Sequence, residues 1–343
     1  MAGSHPTTTI LGKTGFMSNY LVTGAAGFIG SRVSQMLIEE GHTVIGIDNL
    51  NDAYDVRIKQ FRLESLLPLG DFAFYEKDIA NWDDMKAIAE VSPQIDAIIN
   101  LAARAGVRAS TTVPFKMLKS NTNGALSMLE LCRHYNIPKI IQASTSSIYG
   151  ANPPYPTPET ANSDYPLQAY AASKKGAEAL CHSYHHLFDV DVSVVRFFTV
   201  YGPAGRPDLA MFRFVQWITE GRPLHLNGDG EQSRGFTYID DIARGIILAL
   251  KPVGYEIINL GGHEVISIND LITLTEELVG GKAEIIRHPA HPADMRRNQA
   301  DVSKAREMFG WEPQVGLREG MQALVDWYNA ERDWAKDIET GGL

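Results

Sequence analysis

The sequence predicts an α/β protein: a doubly wound parallel sheet with helices on both faces, joined to a smaller, partly interleaved α/β lobe. Two observations carry this expectation. From Asn19 onward, short β-branched runs alternate with helical stretches, the order that builds a parallel sheet covered by helices. After Tyr201 the rhythm breaks into Pro/Gly-rich turns at Gly202-Pro203, 205–207, 227–230 and 289–292, which suits shorter and less regular elements.

Taken in order, residues 1–17 contain no apolar run of the kind a signal peptide needs and are set aside as a tail. The strands are expected at 20–23, 43–48, 72–78, 97–101, 139–144 and 191–197, where Val, Ile, Phe and Tyr cluster. Among the intervening helices, 28–40, 114–135 and 168–187 are the ones the site argument needs. Residues 235–250 read as a strand and helix that return to the first lobe. The division into 1–201 and 202–343 is therefore approximate.

Composition narrows the classes. The 343 residues are 44% hydrophobic and 21% charged, enough to bury a large core. A net charge of −10, with no Lys/Arg-rich run, argues against a nucleic acid partner. No apolar stretch reaches membrane-spanning length, so no membrane role is expected. The two cysteines, Cys132 and Cys181, fall in separate helical segments and offer neither a disulfide framework nor metal-ligand spacing, which suits a cytoplasmic location and no metal. His182, His185 and His186 share one helix without a matching carboxylate motif and read as a solvated face.

Leu21-Val22-Thr23-Gly24-Ala25-Ala26-Gly27-Phe28-Ile29-Gly30 runs from a strand through a glycine turn into a helix. Glycines let the backbone turn sharply and approach a pyrophosphate, which free N–H groups at the helix start, near Phe28 and Ile29, then bind. Gly30 brings helix and sheet close. The second strand ends at Asp48, whose carboxylate can accept hydrogen bonds from both hydroxyls of an adenosine ribose and would repel a 2′-phosphate. Asn49 and Leu50 follow with no adjacent Arg. NAD is therefore expected rather than NADP, although Arg57 or Lys59 has the reach to return from a loop.

Tyr170-Ala171-Ala172-Ser173-Lys174 opens a helix, and four residues make about one turn, so the phenol and the ammonium share a face. A phenol of pKa about 10 becomes a base near neutrality only with about 4 kcal/mol of differential charge stabilisation, which two nearby cations can supply. Tyr135 and Lys139 repeat the spacing, but Pro138 breaks their helix. Upstream, the strand ending at Ser144 feeds Thr145-Ser146-Ser147, placing hydroxyls at the carboxyl edge of the sheet, where such folds bind ligands.

The GxxGxxG spacing, the hydroxyl turn and the Tyr/Lys pair together resemble the extended short-chain dehydrogenase/reductase family, over Asn19 to about Trp327. The resemblance implies a Rossmann-type fold and a tightly held NAD regenerated at each turnover. It assigns Asp78 and Ile79 to the adenine, Leu101, Ala102 and Ala103 to the nicotinamide side with Arg104 next to them, and Asn121 to supporting the active-site helix. Ser144 joins the cofactor wall. Thr145, Tyr170 and Lys174 become the catalytic set: Tyr170 takes the proton of a sugar 4-hydroxyl, Thr145 bonds the same oxygen, and Lys174 holds the nicotinamide ribose and the phenolate. Helices 114–135 and 168–187 would pair across a homodimer.

Relatives that eliminate water carry Thr-Asp-Glu at the hydroxyl turn and decarboxylating ones Ser-Glu; this chain has no carboxyl there, which points to epimerisation. The run 196–210, with Phe197-Phe198-Thr199-Val200-Tyr201-Gly202-Pro203 followed by Arg206-Pro207-Asp208, resembles UDP-glucuronate 4-epimerases, as does Ala105-Gly106-Val107-Arg108. Ser146, Ser147, Thr199 and Arg206 are then expected to hold a sugar carboxylate. At the nucleotide end the resemblance assigns Asn227, Arg234 and Asp294. It departs from the pattern at His291, where Arg is common, leaving either Arg296 or Arg297 to compensate or a looser grip on the diphosphate. A UDP-glucose/UDP-galactose or dual-specificity epimerase is the alternative, and a non-catalytic NAD sensor a remote one that the retained Tyr170 and Lys174 argue against.

Overall fold

The computed structural model of the chain describes residues 17–290 and 296–341. Its first part runs β1 (Asn19–Thr23), α1 (Phe28–Glu39), β2 (Thr43–Asp48), α2 (Arg57–Leu66), β3 (Phe72–Glu76), α3 (Trp82–Val91), β4 (Ala97–Asn100), α4 (Pro114–Leu118), α5 (Gly124–Tyr135), β5 (Lys139–Thr145), α6 (Ala169–Phe188) and β6 (Asp191–Phe197). It continues with β7 (Thr199–Tyr201), α7 (Ala210–Thr219), β8 (Leu224–Asn227), β9 (Ser233–Tyr238), α8 (Ile239–Leu248), β10 (Tyr255–Leu260), β11 (Val265–Ser267), α9 (Ile268–Val279), β12 (Ile285–His288), β13 (Arg297–Asn298), α10 (Ser303–Phe309) and α11 (Leu317–Ala330).

The main sheet has seven parallel strands in the order β10-β6-β5-β4-β1-β2-β3. It is wound in opposite directions from β1, so a crevice opens between the carboxyl ends of β1 and β4. Because both faces are covered, the central strands read as continuous apolar runs: Leu21, Val22, Ile98, Ile99, Ile140 and Ile141 are fully buried. One face packs on α1 and α8, through Val33, Leu37, Ile242 and Ile246. The other packs on α3, α5 and α6, through Met85, Leu129 and Cys181.

The six expected strands form with shifts of one or two residues at their ends. A seventh, β10, was not anticipated; its run Tyr255-Glu256-Ile257-Ile258-Asn259-Leu260 pairs with β6 along its whole length. The expected helix 114–135 forms over its whole length, with one π-helical turn, Lys119–Asn123, inside it that carries the buried Asn121. The second lobe holds β9 against β7, β11 and β13, a separate β8/β12 pair, and a core of α7, α9 and α11 around Phe212, Leu271 and Met321. Of the stretch 235–250 expected to return to the first lobe, only the helix does: α8 lies on the main sheet, as does β10, whereas the strand β9 finds its partners in β7, β11 and β13 of the small sheet, so the chain crosses between the lobes more than once.

Candidate active site

A cleft of about 1010 Å³ runs from the glycine turn, across the carboxyl ends of the main strands, to the β8 edge of the second lobe. Its first end is built by backbone. A Cβ on Gly30 would lie 2.0 Å from the Gly24 carbonyl oxygen, and one on Gly27 would lie 2.8 Å from it. Gly24, at φ +69°, presses against Ala102, where a Cβ would come within 2.9 Å of the amide nitrogen. No side chain caps the start of α1, so its first N–H groups face the cleft as an anion cradle. Asp48 is buried at the tip of β2, accepting from the Leu50 N–H at 2.8 Å with Lys59 Nζ at 3.4 Å. Lys59 thus reaches back toward the strand end, whereas Arg57 pairs with Asp55. Cradle, carboxylate and the apolar Phe28, Ile29 and Ile79 all line the same cleft and fit a dinucleotide.

Polar side chains tie this end to the catalytic helix. Thr23 Oγ1 donates to Asn100 Oδ1 (2.6 Å), Asn100 Nδ2 to Gln142 Oε1 (2.8 Å), and Gln142 Nε2 to the Ala143 carbonyl (2.9 Å). That carbonyl also accepts from Lys174 Nζ at 3.0 Å. Lys174 is held down to about 8 by burial, with the Glu178 carboxylate opposing the shift. Glu178, one turn on, accepts from Ser144 Oγ (2.6 Å) and from Arg196 Nε (2.9 Å) and Nη2 (2.7 Å). Arg196 also reaches the Tyr149 hydroxyl at 3.0 Å.

Tyr170 sits in the cleft beside Thr145 and Arg206. Burial pushes its phenol above the ordinary value, while a hydrogen bond with Thr145 and the Arg206 charge pull the other way. The Arg206 charge bears on the phenol. Lys174, one turn along the same helix, donates from Nζ to the Ala143 carbonyl, with the Glu178 charge acting on it. Thr145 Oγ1 donates to Ser147 Oγ and accepts from the Ser147 N–H, both at 3.2 Å. Ser146 Oγ accepts from Asn298 Nδ2 at 3.2 Å. Arg206 pairs with Asp208, Nε to Oδ1 at 3.0 Å and Nη2 to Oδ2 at 2.5 Å. Burial alone would lower the Arg206 pKa, but Asp208 outweighs it and raises it.

The expected residues therefore converge, with exceptions. Asn49, Asp78, Leu101, Ala103, Ser144, Val107, Arg108, Thr199, Asn227 and Arg234 also line the cleft. The Asn227 amide, turned with its oxygen toward Arg108, accepts from both Nη atoms at 3.0 Å. Asn121 stands behind the wall, donating to Ser173 Oγ (2.9 Å) and accepting from the Arg104 N–H (2.8 Å). Arg104 does not line the cleft; its guanidinium pairs with Asp52 at 3.1 Å. Asp294 and His291 lie outside the described residues. Arg296 pairs with Asp229 at 3.6 Å and Arg297 lies over the Tyr155 ring, neither lining the cleft. Sequence reasoning missed the cleft-lining Tyr54, Arg213, Trp217 and Asn298, and the pairing of Asp208 with Arg206. Only Asp208 had a signal, its place in the Arg-Pro-Asp run.

Among the described residues no cluster of His, Cys, Asp and Glu could hold a metal. His182 and His185 pack on the Tyr255 ring.

Fold and cleft define a Rossmann-type dinucleotide-binding protein of the extended short-chain dehydrogenase/reductase class, with a Thr/Tyr/Lys site. The sequence pattern of the NAD dependent epimerase/dehydratase family matches residues 20–261, and the chain belongs to that family. It is 51% identical over 325 residues to a UDP-glucuronate 4-epimerase of Thermodesulfobacterium geofontis, covering 94% of this chain and 100% of that one. It also resembles the crystal structure of UDP-glucuronic acid 4-epimerase from Bacillus cereus in complex with UDP-glucuronic acid and NAD. That likeness has a TM-score of 0.85 at 37% identity and covers 91% and 99% of the two chains. The UDP-glucose 4-epimerase of Thermotoga maritima with UDP-glucose matches with a TM-score of 0.85 at 32% identity, over 92% and 99%.

Proposed function

We propose that this protein inverts carbon 4 of UDP-glucuronate to give UDP-galacturonate, by oxidation to a 4-keto sugar and reduction from the opposite face. The observation that carries this reading is the hydroxyl turn Thr145-Ser146-Ser147, free of any carboxyl group, in one cleft with Tyr170, Thr199 and Arg206. The UDP-glucuronate enzymes among the relatives support it.

Bound NAD supplies the hydride acceptor and, on return, its donor. Gly24 to Gly30 cradle its pyrophosphate, Asp48 takes the adenosine ribose, and Lys174 the nicotinamide ribose. Tyr170 accepts the 4-hydroxyl proton and later returns it, with Thr145 bonding the same oxygen and Arg206 stabilising the phenolate. A 4-ketouronic acid is a β-keto acid that loses carbon dioxide when its carboxylate aligns with the ketone. Ser146, Ser147, Thr199 and Arg206 hold the carboxylate out of that alignment. Asn227 and Arg234 take the nucleotide end.

Incubation with UDP-glucuronate and, separately, UDP-glucose, followed by proton NMR without added cofactor, tests the reading. UDP-galacturonate is the expected product; UDP-galactose alone would transfer the assignment to a neutral-sugar epimerase. Arg206→Ala should cut kcat/KM for UDP-glucuronate by roughly 10–100-fold, the worth of a charge-assisted pair, and leave UDP affinity nearly unchanged. An equal loss in both titrations would move Arg206 to the diphosphate.

The reading extends to a cytoplasmic homodimer. Phe115 (86% exposed) and Leu118 on α4, Leu126 on α5, and Leu187 and Phe188 on α6 leave apolar surface that a second copy would bury in a four-helix bundle. Sedimentation equilibrium at the dimer mass is the expected result. No helix of the described residues is long and apolar enough to cross a membrane, and Cys132 and Cys181 are buried free thiols, suited to a reducing compartment.

A further inference from the structure

We propose that Asn298 is a positioning residue for the sugar's carboxylate, acting through Ser146; the assignment rests on the UDP-glucuronate reading above. Asn298 is the second residue of β13, only 9% exposed, and lines the cleft beside the hydroxyl turn. Its Nδ2 donates to Ser146 Oγ at 3.2 Å, linking residues 152 apart in sequence. The register of β13 on β9 sets Asn298 beside Arg234, which also lines the cleft.

The chemistry follows from the direction of this hydrogen bond. A serine hydroxyl has one hydrogen to give and lone pairs to receive with. Because Asn298 donates, it occupies a lone pair of Ser146 and leaves the hydroxyl hydrogen to point elsewhere. Ser146 is 6% exposed and donates to no acceptor among the described residues' hydrogen bonds, so its hydrogen is available to a carboxylate in the cleft. An acceptor at position 298 would reverse this: it would take the Ser146 hydrogen and turn a lone pair toward the carboxylate. A neutral hydroxymethyl group, able to donate as well as accept, would tolerate either orientation. Residue 298 thereby discriminates acid from neutral sugar through Ser146.

Asn298→Asp tests the idea most sharply, with Asn298→Ala beside it. The Asp variant should lose about 30-fold or more in kcat/KM for UDP-glucuronate, since it removes the oriented donor and adds like charge, and the Ala variant roughly tenfold, the worth of one oriented hydrogen bond. Affinity for plain UDP should change less than about twofold in both. Both should release more UDP-pentose and carbon dioxide than the unchanged enzyme, as the freed carboxylate aligns with the ketone. In a Ser146→Ala background, Asn298→Ala should add no further loss, because the pathway runs through Ser146. Multiplicative losses in that cycle, or equal losses in UDP affinity and turnover, would overturn the assignment and leave Asn298 a structural residue of β13. If the unchanged enzyme does not convert UDP-glucuronate at all, the proposed function itself falls and takes this inference with it.

Discussion

Replacing Tyr170 by Phe is expected to lower kcat by about 10³-fold, within the range of a lost general base, while NAD content and the far-ultraviolet spectrum stay unchanged. The substitution removes one oxygen without altering ring packing, and α6 keeps its register. The size of the effect follows from where the proton must go. Burial holds the Tyr170 pKa above its usual value, opposed by Thr145 and the Arg206 charge. The other hydroxyls of this turn, on Thr145, Ser146 and Ser147, have far higher intrinsic pKa values, so none replaces the phenol as a base. Rapid-quench turnover with UDP-glucuronate checks this. A Phe variant that retains a tenth of the activity would remove Tyr170 from the proton path. Arg206→Ala shares part of the loss, because it also strips the cation that favours the phenolate.

The second large effect concerns a residue that touches no substrate. Glu178 and Arg196 form a bidentate pair with side chains 3% and 2% exposed. Glu178→Ala would leave the guanidinium buried without its counter-charge, at a cost of about 3–5 kcal/mol, read as a fall of roughly 5–10 °C in Tm. Arg196→Met in the same chain should return much of that stability, since a buried pair replaced as a whole by apolar groups is often neutral. Persistence of the full loss in the double variant would mean that the pair is not the source. The milder Glu178→Gln isolates a functional consequence. The Glu178 charge raises the Lys174 pKa against the burial that holds it to about 8. Without that anion the ammonium gives up its proton at lower pH. The alkaline fall in kcat/KM should therefore move to lower pH, by an amount a pH-rate profile resolves; an unmoved alkaline limb would separate Lys174 from Glu178.

Much of this site was legible in the chain because the relations involved are local. The glycine turn joins β1 to α1 within ten residues, Tyr170 and Lys174 stand one turn apart on α6, and Asp48 and Thr145 end their strands, where parallel sheets open to ligands. Helical period and strand alternation are properties of the backbone, so the residues that obey them can be placed without knowing what they pack against. The seventh strand escaped because Tyr255–Leu260 follows the turn-rich region and reads equally as an isolated apolar run; only pairing with β6 makes it an edge of the main sheet. The π-turn at Lys119–Asn123 likewise has no Pro or Gly to announce it.

The sequence by itself determined the fold class and pointed to the glycine turn, Asp48, Thr145, Tyr170 and Lys174 that line one cleft. Tertiary structure alone decided which further charges stand near them: that the Arg206 charge bears on the phenol, that Arg104 turns away to Asp52, and that Glu178, Arg196 and Ser144 form one buried cluster. It also decided that Asn298 reaches Ser146 across the two lobes. The reason is physical. Electrostatic and hydrogen-bond partners are chosen by distance in space, and for residues tens to hundreds of positions apart that distance follows from strand order and lobe packing, which no local spacing encodes.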